Sequence, residues 1–174
     1  MSSKSKTQKS LEKRQKNRQK KKQGKPFASI ALKSNGGLLN VLRTPARISI
    51  AASISQVENP TMTEFKAIWD TGATHTAISN QVASQCNLQP VSRVKVSTAS
   101  GNHVTNVYFV DVVLLNEVIF RDVRVTEAIL ADGIDVLVGM DIINQGDFAV
   151  TNKDKSTMMS FRVPPGKHID FNKK

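Results

Sequence analysis

Polar and apolar residues alternate along most of this chain with a period of two, and the pattern breaks only briefly for anything helical. Arg47-Ile48-Ser49-Ile50-Ala51-Ala52-Ser53-Ile54 reads as a half-buried strand, with every second side chain facing a core. Asn59-Pro60 marks a turn, and Glu64 to Trp69 rises into a second, increasingly apolar strand. Beyond it, Ile78, Val82, Ala83 and Cys86 recur at helical spacing behind Ser79, a residue suited to cap a helix N-terminus. Alternation resumes over Val91–Thr98, Ser100-Gly101-Asn102 signals a tight turn, and a long β-rich run follows from Val104 to Leu115. Val118–Thr126 predicts another strand and Ile134–Val138 a continuous apolar one. Gly139–Asn144 fits a short helix ending near Gly146. Phe148–Thr151 and Thr157–Val163 then pair as a terminal hairpin around Asn152-Lys153-Asp154, which Pro164-Pro165-Gly166 stops. Many short strands, regular turns and two brief helices predict a mostly-β barrel or sandwich, without the fixed repeat of a solenoid.

Composition changes that picture at one end only. The chain carries a net charge of +11, but residues 1–27 hold eleven Lys or Arg against the single acid Glu12. The other 147 residues are close to neutral at +1, so the protein is a near-neutral domain with a basic tail. Residues 1–27 contain little large apolar side chain besides Leu11 and Phe27, which predicts disorder. Such a segment suits an electrostatic arm for nucleic acid or another anionic surface, or serves as a solubilising extension. Residues 28–45, with Asn35-Gly36-Gly37 and Thr44-Pro45, read as a linker or a loose lead-in strand. The folded domain is expected over 46–165, with 166–174 as a C-terminal tail.

Cys86 is the only cysteine, which excludes an intrachain disulfide or a multi-cysteine zinc site. His75, His103 and His168 show no ligand spacing, so no metal is expected. No stretch approaches the roughly 18 apolar residues needed to span a bilayer, and the N-terminus has no secretory pattern. These features predict a soluble, intracellular protein, cytoplasmic or nuclear.

The chemistry concentrates where the second strand ends. Phe65-Lys66-Ala67-Ile68-Trp69 drives straight into Asp70, an unfavourable place for a carboxylate unless it is held by partners or used. Gly72 permits a sharp turn, and backbone N–H groups with the Thr71 hydroxyl could hold the acid. Taken as a tripeptide, Asp-Thr-Gly equally describes a strand ending in an Asx turn.

The longer run Asp70-Thr71-Gly72-Ala73-Thr74-His75-Thr76-Ala77-Ile78-Ser79, preceded by Ile68 and Trp69, resembles the active-site segment of retroviral- and retrotransposon-type aspartic proteases. About 65 residues later, Val136-Leu137-Val138-Gly139 followed by Met140-Asp141-Ile142-Ile143 resembles the second signature of that retropepsin-like family. Between the two, Val96–Val104 stands where the family has its flap hairpin, so Thr98, Ala99, Ser100 and Gly101 become flap and substrate-binding candidates. Gly101 reads equally well as an ordinary hairpin glycine.

The resemblance implies an acid-protease barrel and a cofactor-free endopeptidase acting on extended polypeptides. The chain has one Asp-Thr-Gly where pepsin-like enzymes have two. Catalysis by a carboxylate pair therefore implies a homodimer with Asp70 from each subunit on the twofold axis. By the same resemblance Thr71 braces the two loops, Gly72 approaches the substrate, and Leu137, Val138 and Gly139 thread past the site. Ala73 lacks the hydroxyl a Ser could donate to the carboxylate, which implies a dyad working nearer neutral pH than a Ser variant. Subunit contacts could come from Arg47–Ile54 or Thr157–Val163. Asp141 near a helix start suits the helix dipole, Asp135 simply precedes a strand, and Trp69 is expected in the core beside the site. A catalytically silent dimerisation or peptide-binding module on the same fold, associated with nucleic acid through its tail, is the alternative function.

Overall fold

The computed structural model describes residues 28–98, 101–166, 168–170 and 172; the basic segment 1–27 lies outside them, as do Ala99 and Ser100 of the flap candidates. Ten strands carry the architecture: β1 (Ala28–Lys33), β2 (Arg43–Ile50), β3 (Thr63–Trp69), β4 (Ala77–Ile78), β5 (Ser92–Thr98), β6 (Gly101–Leu114), β7 (Val118–Glu127), β8 (Val136–Val138), β9 (Asp147–Lys153) and β10 (Ser156–Val163). Among the described residues two short α-helices, α1 (Asn80–Gln85) and α2 (Met140–Ile143), interrupt them. The expected mostly-β barrel with two brief helices is what forms.

One sheet runs in the order β2-β3-β8-β4-β7-β6-β5, and β2 also pairs with β6, so six strands close on themselves and β5 stands outside the ring. Closure matters because it leaves no raw strand edge in the ring itself. The inward residues are the apolar half of each alternation: Ile48, Phe65, Ala67, Val110, Val112, Phe120, Val125, Val136 and Val138 are all buried. At a bulge between Val110 and Val112 the ladder slips by a residue. Asp111 is buried there, accepting from Arg121 at 2.6 Å and from the Asp122 backbone N–H at 3.0 Å. Among the described residues no buried side-chain N or O atom lacks a hydrogen-bond partner.

β2 starts at Arg43 and stops at Ile50, four residues ahead of the alternating stretch 47–54 at each end. Pro45 is tolerated because β2 pairs there only with β3; its second neighbour, β6, joins from Arg47 onward. After Ile50 the chain turns, with Ile54 and Ser55 donating to the Ala51 carbonyl at 3.1 and 3.0 Å. The lead-in residues form β1, which pairs antiparallel with β10 in a second sheet of order β1-β10-β9. The terminal hairpin turns at Asp154 and Lys155, both at positive φ (51° and 57°), one step beyond the expected Asn152-Lys153-Asp154 centre. Ser79 caps α1 as expected, accepting from the Val82 N–H at 3.4 Å.

Candidate functional site: an acid loop held by the second glycine motif

Two very short pairings place Asp70. β3 runs parallel to β8 (Ala67↔Val136, Ile68↔Leu137, Trp69↔Val138), and β8 runs antiparallel to β4. β8 is thus wedged between the strand that leads into the acid loop and the strand that leads out of it. The Asp70 N–H continues the ladder, donating to the Val138 carbonyl at 3.0 Å. Beyond this bond the chain leaves the sheet. Gly72 N–H donates back to Asp70 Oδ1 at 2.8 Å, and Ala73 N–H reaches the Asp70 carbonyl at 3.3 Å. Asp70 is half-buried, whereas Thr71 and Gly72 are exposed, so the carboxylate is presented at the surface on a turn whose base is fixed. A Cβ at Gly72 would stand 3.1 Å from Asp70 Oδ1, so a side chain there would require the carboxylate to shift by a few tenths of an ångström.

The second glycine motif is a packing device. A Cβ at Gly139 would lie 2.6 Å from the His75 carbonyl carbon and 2.9 Å from the Thr76 nitrogen, both backbone atoms that cannot swing away. Only glycine lets β8 and α2 pass this close beneath the loop. Met140 N–H donates to the Ala73 carbonyl at 2.8 Å, fastening the start of α2 to the same loop.

Sequence reasoning missed the pair that finishes this joint. Thr76 is fully buried, and its N–H donates to both Asp141 oxygens at 3.0 and 2.9 Å. Its hydroxyl donates to Asp141 Oδ1 at 2.7 Å and accepts from the Gly139 N–H at 3.2 Å. Asp141 does sit in the first turn of α2, but its main task is to clamp the outgoing arm of the acid loop. The available signal was a threonine leading into apolar Ala77 and Ile78, a hydroxyl that needs a partner once buried. Asp135 likewise acts on the frame: its Oδ2 accepts the Lys66 N–H at 3.0 Å and its carbonyl accepts Ser79 N–H at 2.8 Å.

Trp69 is buried beside the acid, donates from Nε1 to Thr44 Oγ1 at 3.0 Å, and stacks on Phe148 with centroids 5.5 Å apart and planes 12° apart. Gly101 lies at the turn of the β5–β6 hairpin with φ 112°, opposite Thr98. Farther along this hairpin, Tyr108 OH (2.7 Å) and Asn106 Nδ2 (3.0 Å) donate to Glu127 Oε2. These hydrogen bonds, Tyr108 first, hold Glu127 below the ordinary carboxylate range. Burial pushes the Cys86 thiol up, so this cysteine behaves as a core side chain. Clefts of about 620 and 700 Å³ open elsewhere on the chain, neither lined by Asp70–Ala73. Among the described residues no group of three or more His, Cys, Asp or Glu gathers as a metal site, and no helix is long and apolar enough to cross a membrane.

The family described as "gag-polyprotein putative aspartyl protease" matches residues 59–145, half of the chain and all of this frame from β3 through α2. The chain belongs to this retropepsin-like aspartic protease family. No curated protein matches it. Among solved structures, a retropepsin-like aspartic protease from Rickettsia conorii is similar at 12% identity and a TM-score of 0.49, covering 80% of this chain and 98% of that one. The Simian Foamy Virus (mac) protease is similar at 19% identity and a TM-score of 0.40, covering 59% of this chain and 91% of that one. The retroviral protease-like domain of Ddi1 from Leishmania major is similar at 15% identity and a TM-score of 0.41, covering 70% and 94%.

Proposed function

We propose that this retropepsin-like protein is an aspartic endopeptidase whose catalytic groups are Asp70 and Asp70 of the partner subunit. The observation that carries the reading is the Asp70 carboxylate itself. It stands on an exposed turn, with Oδ1 bonded to the Gly72 N–H at 2.8 Å, while β8 and α2 immobilise the turn from below. A carboxylate presented this way can face a symmetry mate, and two acids brought close together share one proton.

In that state the ionised member takes a proton from a water as its oxygen attacks the scissile carbonyl carbon. The protonated member donates to the carbonyl oxygen. Collapse of the tetrahedral species breaks the C–N bond, with a proton passing to the leaving amine, and the dyad returns to its shared-proton state. Thr71, exposed beside the acid, braces the two loops, and Gly72 lets the substrate backbone approach. Ala73 and the Leu137–Gly139 segment hold the loop in register, and the β5–β6 hairpin, through Thr98 and Gly101, covers an extended polypeptide. The single chain's clefts lie away from Asp70 because, on this reading, the substrate channel forms between two copies.

Cleavage of an unbiased peptide mixture by wild type and Asp70→Asn from about pH 3 to 8 tests the proposal, with oligomeric state measured on each sample. Cleavage by wild type and none by a still-dimeric Asp70→Asn supports it. Folded dimers that cleave nothing at any pH reject it and leave a binding module.

A further inference from the structure

The β5–β6 hairpin is a lever with a single root. β6 pairs with β7 from Leu114 back to Val107, and its remaining residues, Asn106 back to Gly101, pair with β5 alone. β5 is the last strand of its sheet, outside the closed ring. The hairpin therefore leaves the barrel at Val107, which is paired with both Ser92 and Thr126. Six strand residues reach about 20 Å, so a rotation of about 10° at the root carries the turn through about 3–4 Å. The groups that fix the root thus decide where the turn sits.

Glu127, the last residue of β7, stands at that root and holds two consecutive residues of β6. The Thr105 hydroxyl donates to the Glu127 carbonyl at 2.7 Å, and Asn106 Nδ2 donates to its carboxylate at 3.0 Å. Consecutive strand residues point to opposite faces, so Glu127 grips β6 from both sides. Asn106 passes the hold to the other arm of the hairpin, its Oδ1 accepting from Arg93 Nε at 3.3 Å. Tyr108 OH, on a ring buried in the barrel, donates to the same carboxylate at 2.7 Å, and Asn80 Nδ2, at the start of α1, donates at 3.3 Å. One carboxylate therefore ties the free part of the hairpin to β7, to α1 and to the core. Its three side-chain donors are neutral, and among the described residues it forms no ion pair. The acid is there for its acceptor oxygens, which collect donors that a neutral side chain could not all satisfy.

We infer that Glu127 is a positioning residue that clasps the root of the β5–β6 hairpin and so sets how firmly the hairpin closes over a peptide at Asp70. The closing over a peptide rests on the endopeptidase reading above, whereas the clasp can be measured without substrate. Glu127 acts through Thr105 and Asn106 and not on the reacting atoms. A hairpin released at its root spends less time in the closed position, and the apparent affinity for peptide falls by the same fraction.

Amide hydrogen exchange and peptide cleavage by the full-length protein test this together, at about pH 6, where Glu127 is ionised. Glu127→Gln sets an amide NH2 among donors that need an acceptor. Tyr108→Phe keeps the buried ring and removes one bond, so it gives the same signs at smaller size. Ile30→Val, which trims the buried core under the small sheet, is the control for lost stability alone. Amides of Arg93–Ser97 and Asn102–Asn106 should exchange roughly tenfold faster in Glu127→Gln and at wild-type rates in Ile30→Val. In cleavage, Glu127→Gln should raise KM roughly tenfold with kcat within about twofold, and Ile30→Val should change neither. Hairpin amides that keep wild-type rates in Glu127→Gln, or that speed up as much in Ile30→Val, overturn the clasp and leave the protease intact. A loosened hairpin with KM unchanged overturns its role at the site. A hairpin loosened in Glu127→Gln alone, in a protein that cleaves nothing, upholds the clasp and rejects the protease.

Discussion

Replacing Asp141 with Ala removes the acceptor that ties the outgoing arm of the acid loop to α2. Three donors lose an acceptor: the Thr76 N–H (2.9 and 3.0 Å), the Thr76 hydroxyl (2.7 Å) and the Ile142 N–H (3.0 Å). The Ile142 N–H keeps the Gly139 carbonyl as an acceptor at 3.2 Å, so its loss is small. Thr76, by contrast, is fully buried. Hydrogen bonds to a charged group contribute about 1.5–3 kcal/mol each, so the two Thr76 bonds set a ceiling of about 6 kcal/mol. Asp141 is only half-buried, and water entering the space of the lost carboxylate recovers part of this. The expected loss is about 3 kcal/mol, roughly a 10 °C fall in Tm for a domain of this size. Asp141→Asn keeps the shape and one acceptor oxygen and should lose about 1 kcal/mol.

Urea unfolding of Asp141→Ala, Thr76→Val and the double variant measures the clamp directly. If the two side chains act on each other, the cycle leaves a coupling of about 1–2 kcal/mol. Strictly additive losses, or an Asp141→Ala protein within about 0.5 kcal/mol of wild type, would refute the clamp. The acid would then be an ordinary dipole-facing residue of α2.

Gly139→Ala should destabilise by about 1–3 kcal/mol or more, because its Cβ meets main-chain atoms of His75 and Thr76 that cannot yield; a wild-type melting curve would contradict the close approach. Glu127, held low by Tyr108 and Asn106, contributes stability that is complete above its unfolded pKa and is lost as pH falls through the lower folded value. The Tm gap between wild type and Glu127→Gln should accordingly stay constant near neutrality and close in acid, below about pH 4. Ala73→Ser adds a donor beside the Asp70 loop and should move the acid limb of the cleavage profile to lower pH; an unchanged profile would separate Ala73 from the dyad. If residues 1–27 act as an electrostatic arm, removing their net charge of +10 should abolish any salt-sensitive binding to nucleic acid; equal binding by the truncated protein would refute the arm.

Much of this molecule could be read along the chain because the signals are local. Alternation in Arg47–Ile50 and Ser92–Thr98, the Ser79 cap and the turn at Gly101 each follow from residues within a few positions of one another. The turn that carries Asp70 was legible in the same way, as an apolar strand ending in an acid and a glycine, whereas its choice as the reacting acid rested on the resemblance of the longer run Asp70–Ser79 to retropepsin-like proteases. Elsewhere distant partners decided. Pro45 joined β2 because β6 is absent on that side, and Ala28–Lys33, legible only as linker or lead-in strand, is a strand because β10, more than 120 residues later, lies beside it. Thr76 and Asp141 are 65 positions apart, and nothing near either names the other. The sequence by itself determined which segments extend, where they turn and that an apolar strand ends at Asp70. Tertiary structure alone decided which strand lies beside which, and hence that the second glycine motif is a backbone crossing and Asp141 a clamp. Strand propensity and side-chain period act over a few residues, whereas ladder pairing and buried hydrogen bonds are chosen by the closure of the whole barrel.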